Sequence, residues 1–259
     1  MNQITIASIL AVCLFVGMLV LLEVGRLVGN QQLAKDPDNA RSGTGAVEGA
    51  VFGLLGLLIA FTFSGAAARF DARRDLIVKE TNAIGTAWLR LDLLPISAQP
   101  TIRESFRQYV DSRLEAYHKL PDVQAAQAEL TKATVLQGEI WTQAVAAGRL
   151  EGAPPAATML LLPALNEMID ITTTRTMATK LHPPAAIYGM LVGLALASAL
   201  LAGYDMAGGK SRSWLHVIGF AAVMAVAVYI IIDIEFPRLG LIRVDAFDEA
   251  LRELRASMR

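Results

Sequence analysis

The chain has 259 residues, 54% of them hydrophobic and 18% charged, with a formal net charge of −1 and a mean hydropathy of +0.45. So apolar a composition excludes an ordinary soluble globular protein, and the lack of any excess of Lys and Arg argues against a polyanion binder, so no nucleic-acid partner is expected. The single cysteine, Cys13, rules out an internal disulfide, and His118, His182 and His216 are too scattered for a metal site, so neither metal nor cofactor is expected.

A hydrocarbon core about 30 Å thick needs roughly 20 apolar residues in a helix. Residues 4–22 are such a run, uncharged throughout; 46–68 are a second, with Glu48 its only charge. Residues 185–204 and 214–232 are a third and a fourth, and Tyr188, Tyr204, Trp214 and Tyr229 sit near their ends, where amphipathic rings favour the headgroup zone. Met1-Asn2-Gln3 places no basic side chain ahead of the first run, and no small-x-small site follows it, so a cleaved signal is not expected. Leu10-Ala11-Val12-Cys13 approaches a lipoprotein site, but Val12 is bulky where such sites carry a small residue. A retained helix is expected.

Four spans put both termini on one side of the membrane, together with the segment between the second and third spans. Near the membrane on that side lie Arg69, Arg73, Arg74, Lys79, Arg175, Lys180, Arg238 and Arg243, against Arg26, Lys35, Arg41, Lys210 and Arg212 on the other. The excess predicts cytoplasmic termini in a bacterial inner membrane. The chain therefore divides into 1–68 (the first two spans), 69–184 (a helical cytoplasmic domain), 185–234 (the last two spans) and 235–259 (a cytoplasmic C-terminal segment). The fold class is all-α.

Within 69–184 no stretch shows sustained alternation, so no sheet is expected. The second span is predicted to continue unbroken to about Leu94, before Pro95. Residues 97–120 follow as a helix, with Ile102, Phe106, Tyr109, Val110, Leu114 and Tyr117 as its core-facing stripe. An Ala- and Gln-rich helix lies within 121–150 and is broken by Gly152-Ala153-Pro154-Pro155. The last runs to about Leu181 and stops at Pro183-Pro184, with Pro163 predicted to kink or restart it.

No enzyme signature is present. Gly208-Gly209-Lys210-Ser211 has the end of a phosphate loop, but Tyr204 stands where the upstream Gly is needed, so it reads as a polar turn. In the second span Gly45, Gly49 and Gly53 recur every four residues, with Leu57 and Phe61 continuing the face. Two readings are open. Small residues at this spacing let helices pack closely; alternatively, several copies around an axis would make Gly45 and Gly49 an outer vestibule and Gly53, Leu57 and Phe61 an apolar neck that gates by dewetting. Glu48 falls about half a turn from Leu57 and reads either as a carboxylate favoured by the helix N-terminus or as part of the vestibule. Asn166, Glu167, Asp170 and Arg175 read as a buried polar network, with ion coordination as the alternative. Asp233, Glu235, Asp245, Asp248 and Glu249 lack the spacing of a calcium loop and read as solvated surface.

The run Phe52-Gly53-Leu54-Leu55-Gly56-Leu57-Leu58-Ile59-Ala60-Phe61, then Arg69-Phe70 and Arg74, resembles the pore helix of bestrophin channels, where an apolar neck ending in Phe is followed by Arg and an aromatic. Arg175, His182-Pro183-Pro184 and Tyr188 look like the turn into the bestrophin third span, with a short insertion. More closely, Ala83-Ile84-Gly85-Thr86-Ala87, Leu165-Asn166-Glu167-Met168-Ile169-Asp170 and the stretch from Asp233 to Val244 are similar to the bacterial membrane family labelled bestrophin-like. The wider resemblance implies a homopentameric ion channel whose second span lines the pore, with the lipid bilayer, sibling chains in a ring and inorganic ions as its partners. Phe61 and Leu57 then match neck positions, while Gly53 falls where bestrophins carry a bulky apolar residue. The acidic calcium clasp of eukaryotic members is not reproduced.

The expected function is accordingly a homo-oligomeric channel, with an apolar neck that sets no charge preference. A non-conducting scaffold, whose cytoplasmic helices dock a partner, is the alternative. A membrane enzyme would need a convergent polar cluster, best sought around Asn166, Glu167, Asp170 and Arg175.

Overall fold

The computed structural model describes residues 3–36, 44–209 and 214–259, and every regular element among them is helical. Arg41, Lys210, Ser211 and Arg212, used above in reading topology and the glycine turn, lie outside the described residues. The helices are α1 (Gln3–Lys35), α2 (Thr44–Arg90), α3 (Gln99–His118), α4 (Val123–Ala147), α5 (Pro155–Lys180), α6 (Ala185–Asp205), α7 (Trp214–Glu235) and α8 (Asp248–Ser257). Four helical segments among the described residues are long and apolar enough to cross a membrane. The chain divides into two compact units, Met1–Ala68 with His182–Leu241, and Arg69–Leu181 with Ile242–Arg259.

In the first unit α1 packs along α6 and α7. Ala7, Leu14, Met18 and Leu22 form the buried stripe of α1, and Leu191, Ala195 and Ala199 answer from α6. Glycine makes the approach possible. A Cβ on Gly29 would lie 2.6 Å from the Ala207 Cβ and 2.7 Å from the Tyr204 carbonyl oxygen, and one on Gly25 would strike the Leu200 carbonyl. Lipid offers no hydrophobic drive between helices, so such close van der Waals contact is what joins them. α1 also runs thirteen residues past the apolar run 4–22, to Lys35, because this glycine seam with α6 continues beyond it. After α6, Gly208 takes a φ of 78° and donates its N–H to Asn30 Oδ1 at 2.8 Å, which fixes the turn.

In the second unit α2 runs to Arg90 and tightens into a 3-10 turn, Leu91–Leu93, ahead of Pro95, as its sequence predicts. The 47 residues of α2 make a helix roughly 70 Å long. The core is formed by Ile84, Leu91, Ile102, Phe106, Tyr109, Ile140, Leu161, Leu165 and Met168, with Trp88 edge-on to Phe106 at a centroid distance of 6.0 Å. Of the predicted stripe of α3, Ile102, Phe106, Tyr109 and Val110 lie in this core and Leu114 packs at its margin, while Tyr117 is half-buried. Asp122 caps α4 by accepting the Ala125 N–H at 3.0 Å. Pro163 does not restart α5, which continues through it from Pro155 to Lys180. Leu161, Ala164, Leu165 and Met168, packed in the core on both sides of the proline, hold the helix together across the missing N–H. α8 buries Leu251 against the same core and tucks Met258 in behind it.

Candidate functional site

Two groups of residues stand out, one on each unit. The first is the glycine face of α2. A Cβ placed on Gly45, Gly49, Gly53 or Gly56 meets no described residue within 4 Å, and Leu57 and Phe61 are 52% and 68% exposed. The opposite side of the same helix buries Leu55 and Ala66, and Phe52 meets Phe220 of α7 edge-on at 6.0 Å. So the chain's own helices occupy one side of α2 and leave the Gly-Leu-Phe side bare. Thr62, next to Phe61, donates its hydroxyl back to the Leu58 carbonyl at 2.7 Å, so its polar group is spent on its own helix. Glu48 is half-buried, and its Oε1 has no hydrogen-bond partner among the described residues.

The second group is a buried charge cluster. Glu80 is fully buried; Arg113 Nε donates to its Oε1 at 2.7 Å and Arg113 Nη2 to its Oε2 at 3.2 Å, while Arg175 Nη1 donates to Oε2. Tyr117 lies beneath both guanidiniums, 4.7 Å from Arg175 and 5.5 Å from Arg113, and accepts from Arg113 Nη2 at 2.8 Å. Burial alone would raise the Glu80 pKa, but the Arg113 and Arg175 charges and their hydrogen bonds outweigh it and bring it down to about 2. Burial works against the charge on both arginines as well; facing Tyr117 and Glu80 reverse this, and both pKa values rise. Gln137 closes the neutral side, donating to the Tyr109 hydroxyl and to Thr172 Oγ1, each at 3.2 Å.

The sequence pointed to Arg175 but not to its company. Asn166, Glu167 and Asp170 are exposed on α5, whereas Arg175 is buried and donates to Glu80, which Arg113 also holds. A signal for the missing partners existed. Glu80 continues the buried stripe of Ile77, Ile84 and Leu91, and Arg113 that of Phe106 and Tyr109. A charge in line with an apolar stripe needs a counter-charge on a facing helix.

Of the acidic residues after the fourth span, Glu249 is exposed as expected, but Asp233, Glu235 and Asp248 are buried rather than solvated. In the first unit Asp233 is 0% and Glu235 1% exposed. Asp233 accepts the Leu241 N–H with both oxygens, at 3.0 and 3.1 Å, and leaves Gly240 no room for a side chain. Glu235 Oε2 lies 3.4 Å from His182 Nδ1, whose ring stacks on Phe236 at 4.7 Å. In the second unit Asp248 is buried, Asp245 half-buried and Glu249 exposed. The loop after α7 has backbone N–H groups to satisfy, and Asp233 is drawn inward to do it. Of the basic residues shared with the bestrophin pattern, Arg74 stacks on Phe247 at 4.2 Å and bonds Asp71 at 2.9 Å.

A family model described as the bestrophin-like domain matches residues 11–246. The chain belongs to the bestrophin-like family. The fold agrees: the crystal structure of a bacterial bestrophin homolog from Klebsiella pneumoniae, carrying a tryptophan-to-alanine mutation, superposes with a TM-score of 0.68. That similarity covers 94% of this chain and 96% of the other at 14% identity, so it speaks to the fold alone. No curated protein matches the chain. As a bestrophin-like chain with four apolar helices it is a multi-pass membrane protein. At position 53 of α2 it carries glycine, where the wider resemblance has a bulky apolar residue.

Proposed function

We propose that this bestrophin-like protein is a homo-oligomeric, pentameric ion channel in which α2 of each copy lines a shared path. Gly45, Gly49 and Glu48 form the outer vestibule, and Gly53, Leu57 and Phe61 the neck. The observation that carries this reading is the bare side of α2, where no described residue meets a Cβ placed on Gly45, Gly49 or Gly53 and Leu57 and Phe61 are exposed. The four candidate spans among the described residues are strongly apolar, so a path between copies is the natural route for ions. A ring of leucine and phenylalanine side chains that narrow gates by dewetting. The excess of Lys and Arg next to the spans supports cytoplasmic termini, with 69–184 and 235–259 also cytoplasmic, in a bacterial inner membrane.

Purified protein fused into planar bilayers is expected to give unitary currents, and Phe61→Ala to change their amplitude or open time. Silent bilayers containing verified oligomer would overturn the proposal, as would an image of a dimer with no axial opening, which favours a scaffold.

A further inference from the structure

An apolar neck leaves the sign of the permeant ion to charges elsewhere along the path. Past Phe61, α2 continues as one helix, and Asp75 returns to the face of Leu57 after about five turns. Asp71, Asp75 and Lys79 are all exposed there, but their charges cancel locally: Asp71 pairs with Arg74 at 2.9 Å and Asp75 with Lys79 at 2.7 Å. Two other arginines of α2 are turned to α5. Arg73, buried, donates to the Ala178 and Leu181 carbonyls, and Arg90, half-buried, to the Leu160 carbonyl.

With the bond from Arg175 to Glu80, these contacts tie α5 to α2 in antiparallel register within the second unit. Between Leu160 and Arg175, α5 exposes Glu167 and Asp170, one turn apart on one side of the helix. Neither has an ion-pair or hydrogen-bond partner among the described residues. Arg175 is buried and spent on Glu80. Lys180, in the last turn of α5, lies about 15 Å along the axis from Asp170, beyond a Debye length of about 8 Å at physiological salt. The surplus on this stretch of α5 is therefore negative.

We propose that Glu167 and Asp170 front the conduction path beside the Asp75 face of α2 and make the channel select inorganic cations over inorganic anions. This rests on the channel reading above. Exposed as they are, the two carboxylates do not hold an ion in place. Their charge, repeated by each copy around the path, makes the potential along the wall negative, which enriches cations and depletes anions.

The full chain in planar bilayers separating concentrated from dilute potassium chloride gives the sign through its reversal potential. Potassium is expected to permeate several-fold better than chloride. Glu167→Gln combined with Asp170→Asn should bring the ratio toward one, and Glu167→Lys combined with Asp170→Lys should turn it in favour of chloride. Asp92→Asn removes an exposed carboxylate that Arg103 holds on the α3 side, and should leave the ratio unchanged. Currents that favour chloride, a potassium preference that survives the double neutralisation, or an equal change with Asp92→Asn would each overturn the inference and leave the channel standing. Silent bilayers containing verified oligomer would remove the channel reading, and this inference with it.

Discussion

Gly203 of α6 lies against Leu22 of α1 so closely that a Cβ on the glycine would stand 2.7 Å from the leucine carbonyl carbon. Backbone, unlike a long side chain, cannot swing aside. Gly203→Ala is therefore expected to destabilise the first unit by about 1–3 kcal/mol, the usual cost of overpacking, read as a lower melting temperature in detergent. Gly25→Ala, facing the Leu200 carbonyl, should do the same.

The glycines of α2 predict the reverse. A methyl group on Gly53 meets no described residue within 4 Å, so Gly53→Ala should leave thermal unfolding within about 0.5 kcal/mol of the parent. Phe61→Ala, at an exposed position, should likewise spare the fold. Any change these two make to particle mass or to single-channel current then reports on contacts between copies.

Glu80 sets an acid limit. Its folded pKa, about 2, lies below the ordinary value of 4.5, so the pair with Arg113 and Arg175 contributes its full stability above about pH 4.5. That contribution fades as pH falls from there toward 2, and is on the order of 3 kcal/mol. Melting temperature measured across this range should fall with acidity, and Glu80→Gln should flatten the dependence. The same substitution should cost about 3–5 kcal/mol at neutral pH, because it strands two buried cations.

The C-terminal helix offers a contrast between kinds of contact. Leu251 is buried in the core of the second unit, whereas Arg255 holds Asp111 at 2.7 and 2.9 Å across exposed surface. Leu251→Ala should cost about 2–5 kcal/mol and Arg255→Ala no more than about 1 kcal/mol. Protease sensitivity of residues 248–259 would report both.

Asp233 gives a local test. Removing its carboxylate with Asp233→Ala strips the Leu241 N–H of two acceptors. Hydrogen exchange at Leu241 should accelerate, with a cost of about 1–3 kcal/mol for the unsatisfied donor.

Most of the architecture could be read before the structure, and for identifiable reasons. Apolar runs of membrane length gave the four spans, and Pro95, the pair Pro154-Pro155 and the pair Pro183-Pro184 marked helix ends that local sterics enforce. The readings that failed depend on non-local partners. The helix does not restart at Pro163, which lies inside α5 with core residues packed on both sides of it, something no local rule records. Asp233 and Glu235 looked solvated because a carboxylate's default place is water, yet one binds a backbone eight residues on and the other lies beside a histidine 53 residues earlier. Arg175 was singled out, but Glu80 is 95 positions away and Arg113 another helix over, so spacing could not join them.

Arg73 of α2 donates to the Ala178 carbonyl at 3.1 Å and to the Leu181 carbonyl at 2.9 Å, at the last turn of α5. Pro183 and Pro184 follow, and neither has an N–H to offer the carbonyls that a helix end leaves open. The length of α5 is thus written more than a hundred residues upstream of where it stops. A peptide of residues 155–181 cut from the chain would fray at that end, and a lysine at position 73, with one point of charge instead of a planar fork, would leave one of the two carbonyls unserved.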